Sequence, residues 1–146
     1  TLTERGRQMA TDMGIFMYGQ ELNPDVCVFS PAIRAKETKE LVLQVYQNKD
    51  DFDFEKLVQY EEPKINECWE LDPFVDVINL FPEAKCILIV GHNPAIGVLA
   101  GMISKSMENF TPGSFIAVEY SAEISRGTIC NTENCKILLQ DRAFYF

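Results

Sequence analysis

Histidine is almost absent: the 146 residues contain one, His92. Cys130 and Cys135 flank Asn-Thr-Glu-Asn with no histidine beside them, and two thiols alone do not make a zinc site. Basic residues are also scarce, 13 against 22 acidic, for a net charge of −9. That balance excludes nonspecific binding to nucleic acid or to an anionic membrane. It leaves room for a small anionic substrate, because a pocket's field is set by its local groups. No apolar run approaches the roughly eighteen residues of a membrane helix. The opening has no long apolar core of the signal-peptide kind. Repeats, low-complexity runs and interdomain linkers are missing as well. The expectation is therefore a single domain over residues 1–146, long enough to bury a core.

Cysteine is present in odd number, five. Cys27 and Cys86 sit inside apolar runs and are expected as small buried hydrophobes. A Cys130–Cys135 disulfide is open on spacing, but reduced thiols in the cytoplasm are the expectation. Asn109-Phe110-Thr111 matches a glycosylation sequon and, without a sign of secretion, is read as coincidence.

The chain is organised around Cys86 to Gly101, C-I-L-I-V-G-H-N-P-A-I-G-V-L-A-G. Cys86 to Val90 is apolar, contains two isoleucines and ends in valine, which predicts a strand buried on both faces. Gly91 ends the run. Asn93 suits a helix N-cap and Pro94 a first helical position. His92 therefore falls in a tight strand-to-helix turn. In open α/β sheets such turns collect ligands, and a helix N-terminus favours anions.

Val26 to Phe29 repeats that grammar. Ser30 is a candidate N-cap, Pro31 a candidate first helical residue, and the helix continues through Val45. Arg34 falls at the end of the first turn, and Thr38 one turn later. If both strands are parallel, Arg34 and His92 share one edge of the sheet, where a guanidinium and an imidazole can hold a phosphate. Taken singly, each has a plainer reading, His92 as a structural turn residue and Arg34 as a surface residue.

Elsewhere, Thr1 or Thr3 can cap a first helix with an apolar stripe at Met9, Met13, Phe16 and Met17. Asn48 to Glu55 is an acidic loop or a short helix start, with Phe52 and Phe54 able to pack beneath it. Tyr60 to Pro63 breaks any helix, and Ile65 is read as opening a short extended piece. Asp72-Pro73 starts a helix whose buried face is Phe74, Val77, Ile78 and Phe81, and Pro82 ends it. Ser114 to Tyr120 is a strand. Ile124 to Cys130 and Lys136 to Gln140 are expected to pair in a final hairpin. The fold class is α/β: a mostly parallel open sheet, helices on both faces, and an antiparallel edge.

These residues resemble a known family. S-P-A-I-R-A-K-E-T at Ser30 to Thr38 is similar to the second motif of the histidine phosphatase superfamily, whose fold is phosphoglycerate mutase-like. V-G-H-N-P at Val90 to Pro94 resembles the turn carrying that family's second histidine. L-T-E-R-G at Leu2 to Gly6 resembles the first helix of its SixA-type branch, the phosphohistidine phosphatases. F-T-P-G-S at Phe110 to Ser114 resembles the loop before that branch's next strand. The family's Arg-His-Gly motif, whose histidine is the nucleophile, is absent from the 146 residues. The resemblance puts it on a first strand upstream of Thr1, so the sequence is expected to lack its true N-terminus.

The resemblance implies a phosphatase working through a phosphohistidine intermediate. Arg34 and His92 would be catalytic, holding phosphoryl oxygens. Ser30, Asn93 and Ser114 would be substrate-binding. Glu67, or Glu70 near it, is a candidate general acid for the leaving group. No metal or organic cofactor is implied. A phosphorylated protein, with its phosphohistidine, is the first substrate expected; a small phosphate ester is the second, and inorganic phosphate is the product. The alternative is a noncatalytic phosphate-binding or interaction domain that has lost the nucleophile.

Overall fold

The computed structural model describes residues 1–65, 72–91, 115–120 and 135–141. In chain order the elements are α1 (Glu4–Gly19), β1 (Val26–Phe29), α2 (Ile33–Gln47), β2 (Val58–Glu61), α3 (Asp72–Asn79), β3 (Ile87–Val90), β4 (Phe115–Tyr120) and β5 (Cys135–Asp141). Short 3-10 turns occupy Phe54–Lys56 and Pro63–Ile65.

β1, β2 and β3 form a parallel sheet in the order β2-β1-β3. Val26 lies opposite Val58 and Ile87, and Phe29 opposite Glu61 and Val90. As the central strand, β1 is buried at every residue. β3 was expected to be as deeply buried. Only Val90 is; Ile87, Leu88 and Ile89 are half-buried, because among the described residues β3 has a paired strand on one side only. Asp25 links the starts of two strands. Its two carboxylate oxygens accept the Lys85 and Cys86 amides at 2.8 and 3.0 Å, tying the start of β3 to the start of β1.

β2 is a strand the sequence reading did not assign. Val58, Gln59 and Glu61 are exposed, so the segment carries little burial signal. The ladder makes it: the Val58 amide donates to Asp25 O at 3.0 Å and the Glu62 amide to Phe29 O at 2.9 Å. Tertiary pairing outweighs local propensity at such an edge. Ile65, read as the start of an extended piece, is fully buried in a 3-10 turn. β5 is found where Lys136 to Gln140 was expected as a strand. Its partner is β4, antiparallel, with Phe115 opposite Asp141 and Tyr120 opposite Cys135. Residues 124–130 lie outside the described residues.

α1 and α2 run side by side in the same direction, Arg7 meeting Glu37 and Tyr18 stacking edge-on to Tyr46 at 5.6 Å. Thr3 caps α1, its Oγ1 accepting the Gly6 amide at 3.0 Å. The buried stripe of α1 is Ala10, Gly14 and Met17. It is narrower at its centre than the methionine stripe the spacing suggested, because a built Cβ on Gly14 would lie 2.6 Å from Val42 O. The two backbones meet there. Met17, Cys27, Phe29, Val42, Leu43 and Tyr46 form one core under the helices. Val26 and Val28 face the other side of the sheet by strand alternation. Phe52 and Phe54 pack against this core from the acidic loop, Phe52 stacking on Tyr46 at 4.8 Å. No helix among the described residues is long and apolar enough to cross a membrane.

Candidate functional site

The site is built where the three parallel strands end. The ladder continues one residue past them. The Ser30 amide donates to Val90 O at 3.1 Å, so β1 and β3 end together at this edge. Gly91, half-buried, begins the second turn. His92 and Asn93 follow it in sequence and lie outside the described residues, as do Glu67, Glu70 and Ser114.

Ser30 was expected as the helix N-cap, with Pro31 at the first helical position. The helix instead begins at Ile33 with Ala32 as its cap residue. The cause lies in the same ladder bond. Ser30 is fully buried and still part of the sheet, and its Oγ accepts the Ala32 amide at 3.2 Å. A side-chain turn of this kind uses up two residues before the helix can start. α2 therefore opens with no side-chain cap and no acidic residue in its first turn. Among the described residues no side chain caps its leading amides, and a helix N-terminus of this kind favours an anion.

Arg34 is the second residue of α2 rather than the end of its first turn, and it is exposed. The Thr38 hydroxyl donates to Arg34 O at 2.8 Å, one turn back along the helix. Among the described residues no carboxylate pairs with the Arg34 guanidinium. Its neighbours' charges are matched elsewhere: Lys36 with Glu61 at 2.7 Å, and Glu37 with Arg7 at 3.0 Å. Because α1 and α2 are parallel, the capped start of α1 stands at this same edge.

Sequence reasoning missed Glu62, which it took only as part of a helix break. Glu62 follows β2 at the carboxyl edge, is buried, and accepts the Lys64 amide on Oε1 at 3.0 Å. It places a carboxylate beside the ends of the parallel strands. Its signal in the sequence would have been a second glutamate directly after a strand, legible only once β2 is recognised. A groove of about 350 Å³ between α2 and β2, lined by Lys39, Leu43, Phe54 and Gln59, runs along the helix flank and away from these turns. Among the described residues no cluster of three or more His, Cys, Asp or Glu is disposed to hold a metal.

This architecture is the phosphoglycerate mutase-like α/β fold. No protein-family model matches the chain, and no curated protein matches it by sequence. Solved structures do. A protein from Nakamurella multipartitia, provisionally assigned as the phosphohistidine phosphatase SixA, superposes with a TM-score of 0.72 at 17% identity, over 99% of this chain and 85% of its own. The protein histidine phosphatase SixA in complex with tungstate gives 0.72 at 17%, over 95% and 81%. A protein from Escherichia coli K-12, provisionally assigned as an alpha-ribazole-5'-P phosphatase, gives 0.68 at 16%, over 100% and 87%. The likeness to SixA-type proteins read from the motifs is thus met again in the fold.

Proposed function

We propose that the chain is a phosphatase domain of the histidine phosphatase superfamily and that its site takes a phosphoryl group at the turns after β1 and β3. The observation that carries this is the Ser30–Val90 bond, which brings the motif of Arg34 beside the glycine that precedes His92. Its support is the fold shared with SixA-type structures, one of them holding tungstate, a phosphate-like oxyanion.

Phosphoryl transfer asks mainly for in-line positioning and charge stabilisation. In this reading Arg34 holds two nonbridging oxygens, and His92 and the amides at Asn93 hold a third. Ser30 braces the turn, and Ser114 is a further candidate for substrate binding. A histidine nitrogen attacks phosphorus, the bond to the leaving group breaks, and the leaving group takes a proton. Water then attacks the phosphohistidine, releasing inorganic phosphate and the free histidine. Glu62 joins Glu67 and Glu70 as a candidate proton carrier for these steps. A protein phosphohistidine is the preferred substrate, because imidazole leaves with less acid assistance than an alkoxide. A small phosphomonoester is the second.

A noncatalytic phosphate-binding domain is favoured by one observation: the 146 residues contain no histidine besides His92, and no Arg-His-Gly. Trapping separates the two when it is also run on a protein that carries an Arg-His-Gly strand ahead of these residues. Incubate the chain with labelled phosphohistidine peptide or p-nitrophenyl phosphate, quench in base, and locate acid-labile phosphate. Binding without turnover or label is expected of these 146 residues. A protein carrying an Arg-His-Gly strand ahead of them is expected to be labelled on that histidine. There, Arg34→Ala lowers turnover by about 10²-fold. Stoichiometric label on His92, with turnover to match, would overturn the role given to it.

A further inference from the structure

We propose that Arg7 is a positioning residue that keeps Arg34 available to the phosphoryl group by holding Glu37; this rests on the phosphate reading of Arg34. On α2, Glu37 is the sole carboxylate three or four residues from Arg34, the positions being filled otherwise by Ser30, Pro31 and Thr38. At that spacing a glutamate and an arginine pair on a helix surface. Such a pair would place a negative charge beside the guanidinium and draw it off an incoming dianion. The fold prevents this from outside the helix. Glu37 Oε2 accepts Arg7 Nη1 at 3.0 Å and the Leu2 amide at 3.3 Å. The Glu37 side chain is 18% exposed, against 54% for Arg7, so the carboxylate is tucked against α1. Arg34, exposed, has no carboxylate partner among the described residues.

Substitution with inorganic phosphate as the probe tests it. Affinity is read by calorimetry, the Arg34 guanidinium by its Nε–H resonance, and folding by thermal melting. Arg7→Met takes the guanidinium from Glu37, leaving only the Leu2 amide at 3.3 Å and the Thr1 ammonium at 4.0 Å, and phosphate affinity falls roughly three- to tenfold. The Arg34 resonance shifts even without phosphate. Arg7→Met with Glu37→Gln restores affinity to within about twofold, since glutamine keeps an acceptor for the Leu2 amide and brings no charge to Arg34. Arg5→Met, an equal charge loss in the same turn of α1, leaves affinity unchanged. Arg7→Met without effect, a double variant as weak as Arg7→Met, or Arg5→Met equally weak would each overturn the proposal. If Arg34→Ala abolishes binding while Arg7→Met does not weaken it, only the role of Arg7 falls. If the folded chain binds no phosphate, the reading of Arg34 falls too.

Discussion

The Ser30 amide donates to the Val90 carbonyl at 3.1 Å, so the residue that opens one strand-to-helix turn is hydrogen-bonded to the last residue of the neighbouring strand. The carboxyl ends of the two strands are therefore joined in one sheet. The Ser30 side chain completes the arrangement by accepting the Ala32 amide. Ser30→Ala removes that acceptor within a buried turn. The expected cost is about 0.5–1.5 kcal/mol, read as a lower urea midpoint. Phosphate affinity should fall in the same variant, because the leading amides of α2 lose their anchor.

Two glycines of α1 should respond with opposite sign. At Gly14 an added Cβ would lie 2.6 Å from Val42 O and 2.8 Å from Val45 Cγ2. Backbone cannot swing aside, so the helices must part. Gly14→Ala gains up to about 1 kcal/mol in helix propensity but loses about 1–3 kcal/mol to overpacking. The melting temperature falls. At Gly19 nothing lies within 4 Å, and Gly19→Ala should raise it slightly.

Much of this was legible in the sequence. Strands β1 and β3 announce themselves as short apolar runs closed by Ser-Pro and by glycine, and the start of α3 by Asp72-Pro73. The motif of Arg34 and the turn before His92 suggested a common sheet edge, and the parallel pairing of β1 with β3 puts Ser30 and Gly91 there. What escaped depends on distant partners. β2 is exposed and exists through its ladder with β1. Glu62, buried in the fold, looks like any other glutamate in the sequence. The closeness of Gly14 to Val42, and the grip of Asp25 on Lys85 and Cys86, join residues far apart in sequence.

That grip gives a further test. Asp25→Ala leaves the Lys85 and Cys86 amides without their acceptor, where Cys86 is only half-exposed. A loss of about 1–3 kcal/mol is expected, with faster amide exchange at Cys86 and Ile87. Unchanged exchange there would mean that the ladder alone sets the register.

Buried acids make stability fall in alkali. Burial pushes the Cys27 thiol up to about 12, with Lys39 pulling the other way. Burial, then the charge of Asp25, pushes Cys86 up to about 11. Burial also raises the Tyr46 phenol, whose hydroxyl donates to Leu22 O. In the unfolded chain the thiols ionise near 9, so above that pH the unfolded state holds fewer protons than the native one. These groups contribute their stability in full below 9 and lose it as pH rises through 11 and 12. The urea midpoint should fall across that window. Native Cys27 should resist iodoacetamide at neutral pH and react once urea unfolds the chain. Equal rates in both states would contradict its burial.

The most direct test of the phosphate pocket is a titration of the isotope-labelled 146-residue chain with inorganic phosphate, followed by amide and guanidinium resonances. The expected result is saturable shifts at Ser30, Ala32, Arg34, Gly91 and His92, abolished by Arg34→Ala in a chain that still melts cooperatively. Shifts confined to other surfaces, or none at millimolar phosphate in the folded chain, would contradict the pocket.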